Sequence, residues 1–162
     1  MALTASLSLV SPSMGRIEGA LLQKGREGQI AVLASNHEVV SPHDPATGHA
    51  SGKRLHEPLV LTKEIDQATP KLYRLLTLDE ALGEFTLRFW VGGKTKTSAL
   101  VPRMSLRLTG ARLVAMRFAQ PYVLDPTQAN WPETEELSFL YQRIEWRGEA
   151  TGEVAADDWM PG

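Results

Sequence analysis

Cysteine is absent from all 162 residues. That removes a disulfide framework, a thiolate metal site and a nucleophilic thiol together. A surplus of one charge is missing too: 17 basic and 19 acidic residues are interspersed, for a formal net charge of -2. The chain therefore carries no electrostatic footprint for nucleic acid or for an anionic membrane surface, and neither partner is expected. No apolar run approaches the length needed to span a bilayer. Met1-Ala2-Leu3-Thr4-Ala5 lacks the basic region and continuous apolar stretch of a secretory signal. The expectation is a chain made in the cytosol and, if exported, exported by a route that needs no signal peptide. No repeat or low-complexity block is visible.

What is present reads as one domain over residues 1–162, with an acidic tail from about residue 148. Short runs of alternating or β-branched apolar residues, bounded by Gly, Pro and Asp, recur at 6–10, 29–40, 58–64, 84–91, 104–108, 112–118 and 137–147. Such a pattern predicts a mainly β fold, a two-sheet antiparallel barrel or sandwich. One segment departs from it. Thr69 and Pro70 supply an N-cap hydroxyl and a first-turn proline, and Leu72, Leu75 and Leu76 follow at helical spacing. This predicts one short flanking helix laid on a sheet by its leucine face. Thr77 to Glu80 has capping-box form and reads equally as a further turn or a loop. In the last run, Leu137, Phe139 and Tyr141 mark one face, whereas Ile144 and Trp146 have slipped by one. The slip predicts a β-bulge near Gln142 and Arg143, and with it a bent, closed or nearly closed sheet.

Residues that carry chemistry elsewhere lack the pattern for it here. Between Gly48 and Gly52 stand three residues where a phosphate loop needs four, and Arg54 follows Lys53 where that loop needs Ser or Thr. His37, His43, His49 and His56 have no chelating spacing, so no metal or cofactor is expected; the last three read as solvated loop histidines and His37 as a strand position. No nucleophile elbow is present, and Asp157 and Asp158 read as hydrated tail carboxylates, so no enzyme is expected. Trp90 and Trp146 fit core or edge packing. Trp159 has no strand of its own and must dock or stay exposed.

The most informative stretch runs Ser41-Pro42-His43-Asp44-Pro45, Thr47-Gly48, Ser51-Gly52-Lys53-Arg54-Leu55-His56-Glu57-Pro58, Leu61-Thr62-Lys63-Glu64-Ile65-Asp66, Ala68-Thr69-Pro70-Lys71-Leu72. It resembles the Hcp (haemolysin-coregulated protein) family of type VI secretion tube proteins in the order and spacing of several separate pieces. Leu137-Ser138-Phe139 with Tyr141-Gln142-Arg143-Ile144-Glu145-Trp146 looks like the family's closing strand, and Asp157-Asp158-Trp159 like its tail. The resemblance implies a structural subunit of the inner tube: a homohexameric ring that stacks into a hollow tube, is secreted, and carries effector proteins in its lumen. Sheath and spike components would be its partners, and no fused toxin domain is expected. A phage-type tail-tube protein is the near alternative; a monomeric small-ligand-binding β-barrel is the alternative of another class.

A ring protomer needs a contact for the next ring and a wall for the lumen. The long Gly- and Pro-rich connection over residues 41–56 is assigned to stacking through Pro42, His43, Asp44, Pro45, Gly48, Gly52, Lys53, Arg54 and His56, with Lys53 and Arg54 expected to meet carboxylates across the contact. Ser35, Asn36 and His37 in one run, and Ser138, Leu140, Glu145 and Arg147 in another, are the candidates for the lumen or a protomer interface. Thr69, Pro70, Leu72, Leu75 and Leu76 are expected to serve packing.

Overall fold

The structure, a computed structural model, describes residues 4–92 and 99–159. Among these residues, thirteen strands and one helix follow in the order β1 (Thr4–Ser11), β2 (Gly15–Arg16), β3 (Ile30–Val32), β4 (Ala34–Asn36), β5 (Val39–Val40), β6 (Leu55–His56), β7 (Leu59–Glu64), α1 (Thr69–Leu78), β8 (Glu84–Val91), β9 (Val101–Thr109), β10 (Arg112–Ala119), β11 (Thr134–Leu140), β12 (Arg143–Gly148) and β13 (Val154–Asp158). A seven-stranded sheet runs β13-β12-β9-β8-β1-β2, with β3 also on β1. A four-stranded sheet runs β10-β11-β7-β4, and β5 and β6 form a two-stranded ribbon of their own. All pairings are antiparallel. The two main sheets face each other as a sandwich, one of the two expected forms, and do not close into a barrel: the chain crosses between them at residues 33, 110–111 and 141–142 and through α1, without continuous pairing.

Alternation explains which side of each sheet is buried. Leu7, Leu9, Phe85, Leu87, Leu106, Leu108 and Ile144 from one sheet meet Leu59, Leu61, Leu113, Leu137 and Phe139 from the other. Phe85 and Phe139 touch edge to face in the middle, 5.0 Å between ring centres. Burying these side chains is the main stabilising term.

The slip after Tyr141 is not a bulge within one strand. β11 ends at Leu140 and β12 begins at Arg143 in the other sheet, so the chain turns a corner over Tyr141 and Gln142 and Ile144 re-enters the core from the opposite side. The Gln142 N–H donates to the Thr109 carbonyl at the turn.

Helix α1 lays Leu72 and Leu75 into the core and half-buries Leu76, as its spacing requires. Its entry differs from expectation. Ala68 is the N-cap with no side-chain cap, and Asp66 Oδ1 accepts the Ala68 N–H at 2.9 Å. The Thr69 hydroxyl turns instead to Glu135 at 3.0 Å. Glu135 in turn receives the buried Lys63 ammonium at 2.5 Å, which also meets Asp66 at 2.9 Å, so the cation is neutralised where water is excluded. The helix stops at Asp79, whose φ of 49° is left-handed. No turn is added beyond it; Glu80 accepts from the Ser13 N–H and the Ser11 and Ser13 hydroxyls.

Candidate functional site

Residues 39–56 project from the sandwich as an arm. Val39 pairs with His56 and Val40 with Leu55 at its root, and a single bridge joins His43 to Ala50 further out. The tip is a tight turn: the Gly48 N–H donates to the Asp44 carbonyl at 2.7 Å, and Asp44 Oδ1 accepts the Ala46 N–H at 2.8 Å. Gly48 has φ of 72°, a left-handed position that suits glycine. Pro42 and Asp44 are half-buried, while His43, Pro45, Gly48, Gly52, Lys53 and Arg54 are exposed, so the arm has no core of its own.

The exception is His56, only 5% exposed. Arg54 and His56 stand two residues apart, so extended backbone turns both side chains the same way. There they meet Asp157 of β13. Arg54 Nε and Nη2 donate to Asp157 Oδ2 and Oδ1 at 2.7 and 2.6 Å, a bidentate pair, and His56 Nε2 lies 2.8 Å from Oδ2. His56 Nδ1 is 2.7 Å from the Tyr141 hydroxyl at the corner, and His37 Nε2 is 2.6 Å from the same oxygen. The Trp159 ring lies 5.7 Å from that of His56, and the Trp159 main-chain N–H donates to the Gln142 carbonyl.

The donor order follows from the chemistry of the groups. A carboxylate only accepts, so neutral His56 carries its proton on Nε2 and its Nδ1 accepts from the Tyr141 O–H; the tyrosine oxygen then accepts from His37 Nε2–H. Hydrogen bonds from Arg54 and then His56 hold Asp157 at about 2, below the usual carboxylate range. Burial, aided by the Asp157 charge, pushes Tyr141 up to about 12, which keeps its proton in place. Burial and then the nearby His56 hold His37 below its ordinary value. Arg54 is raised by its bond to Asp157.

These positions correct two expectations. His56 is a buried member of a polar relay, not a solvated loop histidine. Asp157 is a strand residue with three donors, not a hydrated tail carboxylate. Of the two alternatives for Trp159, docking is the one the structure takes. Arg54 spends its guanidinium on a carboxylate of its own chain, whereas Lys53 stays exposed. Among the described residues, no group of His, Asp and Glu is arranged to hold a metal ion.

The remaining candidates divide between two surfaces. Asn36 pairs with Val60, which pairs with Ser138, which pairs with Ala115, on the outer face of the four-stranded sheet. The next row on that face is Ala34, Thr62, Glu136 and Arg117, and Leu140 lies beyond beside Arg112. Ser35 is in register with buried Leu61 and opens on the gap between the sheets, near Phe89 and Trp146, whose rings stack 6.0 Å apart. His37 has turned into the relay. Glu145 and Arg147 lie 3.7 Å apart on the outer face of the larger sheet.

Tyr141 and Asp157, which the structure places in the relay, were not among the candidate residues. The spacing of Arg54 and His56 was the available signal, since two polar side chains on one side of a strand require an anionic or accepting partner once buried.

The family model described as "Type VI secretion system effector, Hcp" matches residues 10–147. A curated relative, the "Major exported protein" of Pseudomonas aeruginosa, is 32% identical over 98% of this chain and 96% of its own length. Among solved structures, Hcp1 of E. coli EAEC 042 superposes with a TM-score of 0.83 at 25% identity over 98% of this chain and 99% of its own. The secreted protein Hcp3 of Pseudomonas aeruginosa has the same fold, with a TM-score of 0.75 at 24% identity over 99% and 100% of the two chains. With the family model spanning the arm, the corner and most of the sandwich, and a relative matched over 98% of the chain, the chain belongs to the Hcp family of type VI secretion.

Proposed function

We propose that this chain is the repeating subunit of a secreted tube: six copies close into a ring, and rings stack through the arm. The observation that carries the reading is the four-stranded sheet. Among the described residues, β4 and β10 are its outermost strands, and its outer face bears Ala34, Asn36, Thr62, Ala115, Arg117, Glu136 and Ser138, small, polar or charged side chains suited to water, with Val60 half-buried among them. Edge strands must be paired or blunted. Joining β10 of one copy to β4 of the next satisfies both edges by rotation and leaves the wet face lining a channel. Effector proteins would travel in that channel, with sheath and spike components outside and ahead of it. The exported relative supports secretion as the destination.

A monomeric ligand-binding barrel is disfavoured because Phe85 and Phe139 meet where a ligand would lie. Negative-stain microscopy with light scattering tests the proposal on the purified protein. Rings with an open centre and six times the chain mass are expected; a monomer throughout the micromolar range overturns it.

A further inference from the structure

The arm is poorly secured by its own backbone. Two residue pairs root it, together with the Glu57 N–H bond to the Glu38 carbonyl, and Val39, Val40 and Leu55 remain exposed there. A two-stranded ribbon without an apolar face is marginal in water. β13 pairs its main chain with β12 but buries as little apolar surface as the arm, since Val154, Ala155 and Ala156 are all exposed. What ties the two together is the carboxylate of Asp157, held by Arg54 and His56 from the arm, with His56 also bonded to Tyr141 at the corner.

We propose that Asp157 is a positioning residue for ring stacking: it latches the arm to the last strand and so fixes the direction in which the arm leaves the sandwich. This rests on the reading of the arm as the ring-to-ring contact. Six arms must meet the next ring together, and an arm held in its bound direction loses less freedom on contact than one that swings. The relay suits the task because it is directional. Each donor has one acceptor, and loss of the carboxylate strands His56 Nε2–H beside a guanidinium. Arg54 then acts within its own protomer, and reversing its charge would weaken stacking without any carboxylate on the neighbouring ring.

The full-length protein allows a clean test, because it has no native cysteine. A spin label on Ala46→Cys reports motion of the arm tip in isolated rings, and sedimentation velocity reports ring-to-ring association. Asp157→Asn is expected to keep the ring while losing the stability that the carboxylate supplies at neutral pH, to raise tip mobility, and to weaken stacking at least tenfold. Asp157→Glu should recover part of both. Arg54→Gln, which leaves the buried side untouched, gives the same readout should Asp157→Asn fail to fold. Unchanged tip mobility in Asp157→Asn or, should that fail to fold, in Arg54→Gln overturns the latch, as does increased mobility with normal stacking. Deleting residues 43–50 separates the underlying reading: if those rings still stack as the parent does, the arm is not the contact, while the mobility measurement still decides the latch.

Discussion

At the scale of single residues, the relay makes the protein sensitive to acid in two separate windows. His37 is held below 6.5 by burial and by His56, so the folded form prefers it neutral and the unfolded chain takes up its proton first. The stability it contributes is complete above about pH 6.5 and is lost as pH falls through the depressed value. Asp157 is held at about 2 against an ordinary 3.8, so its contribution is complete above 3.8 and disappears as pH falls toward 2. The groups facing His37 in the relay are His56 and Tyr141, and Asp157 lies one bond further on. Unfolding free energy measured against pH for the parent, His37→Gln and Asp157→Asn should therefore give two difference curves. The His37→Gln difference should change below about pH 6.5, and the Asp157→Asn difference only below about pH 4. Parallel curves throughout would show that neither group is perturbed by folding.

Elements that depend on apolar spacing were legible in the sequence, and those that depend on polar contacts were not. The leucine spacing of α1 placed Leu72 and Leu75 in the core. Truncating either to Ala should cost about 2–5 kcal/mol through lost burial and the cavity left behind, read by denaturant unfolding at fixed protein concentration. Leu78, exposed on the same helix, should cost far less when truncated. By contrast β13 reads Val-Ala-Ala-Asp-Asp, with no alternation to betray a strand. It exists because β12 offers it main-chain bonds and because Asp157 and Trp159 dock at its end. The corner at Tyr141 was visible only as a one-residue slip, since a bulge and a change of sheet displace the apolar face by the same amount. Thr69 matched the cap residue type, yet Asp66 reached the first turn while the Thr69 hydroxyl bonded Glu135. Such competition between nearby acceptors is a property of the fold and leaves no periodic trace.

For the whole molecule, the decisive question is whether β4 and β10 meet between copies. Among the described residues the four-stranded sheet has two open edges, which invite uncontrolled pairing, and a closed ring is the arrangement that satisfies both of them while ending growth. The absence of native cysteine turns this into a covalent experiment. A cysteine on β4, at Ala34 or Asn36, can be combined with one on β10, at Ala115 or Arg117, giving four double variants that sample the unknown register. Disulfides form only when Cβ atoms approach to roughly 3.5–4.5 Å, so a bond reports direct strand adjacency. If β10 of one copy lies beside β4 of the next, at least one double variant should give, on mild oxidation, a ladder of linked species rising to six chains and stopping there. Each single variant has one thiol per chain and can link no further than a dimer. A ladder that ends at six fixes both the ring size and the edges that build it. Dimers alone from all four double variants would mean that the edges are covered in some other way, and the channel wall would have to be sought on the larger sheet, where Glu145 and Arg147 lie.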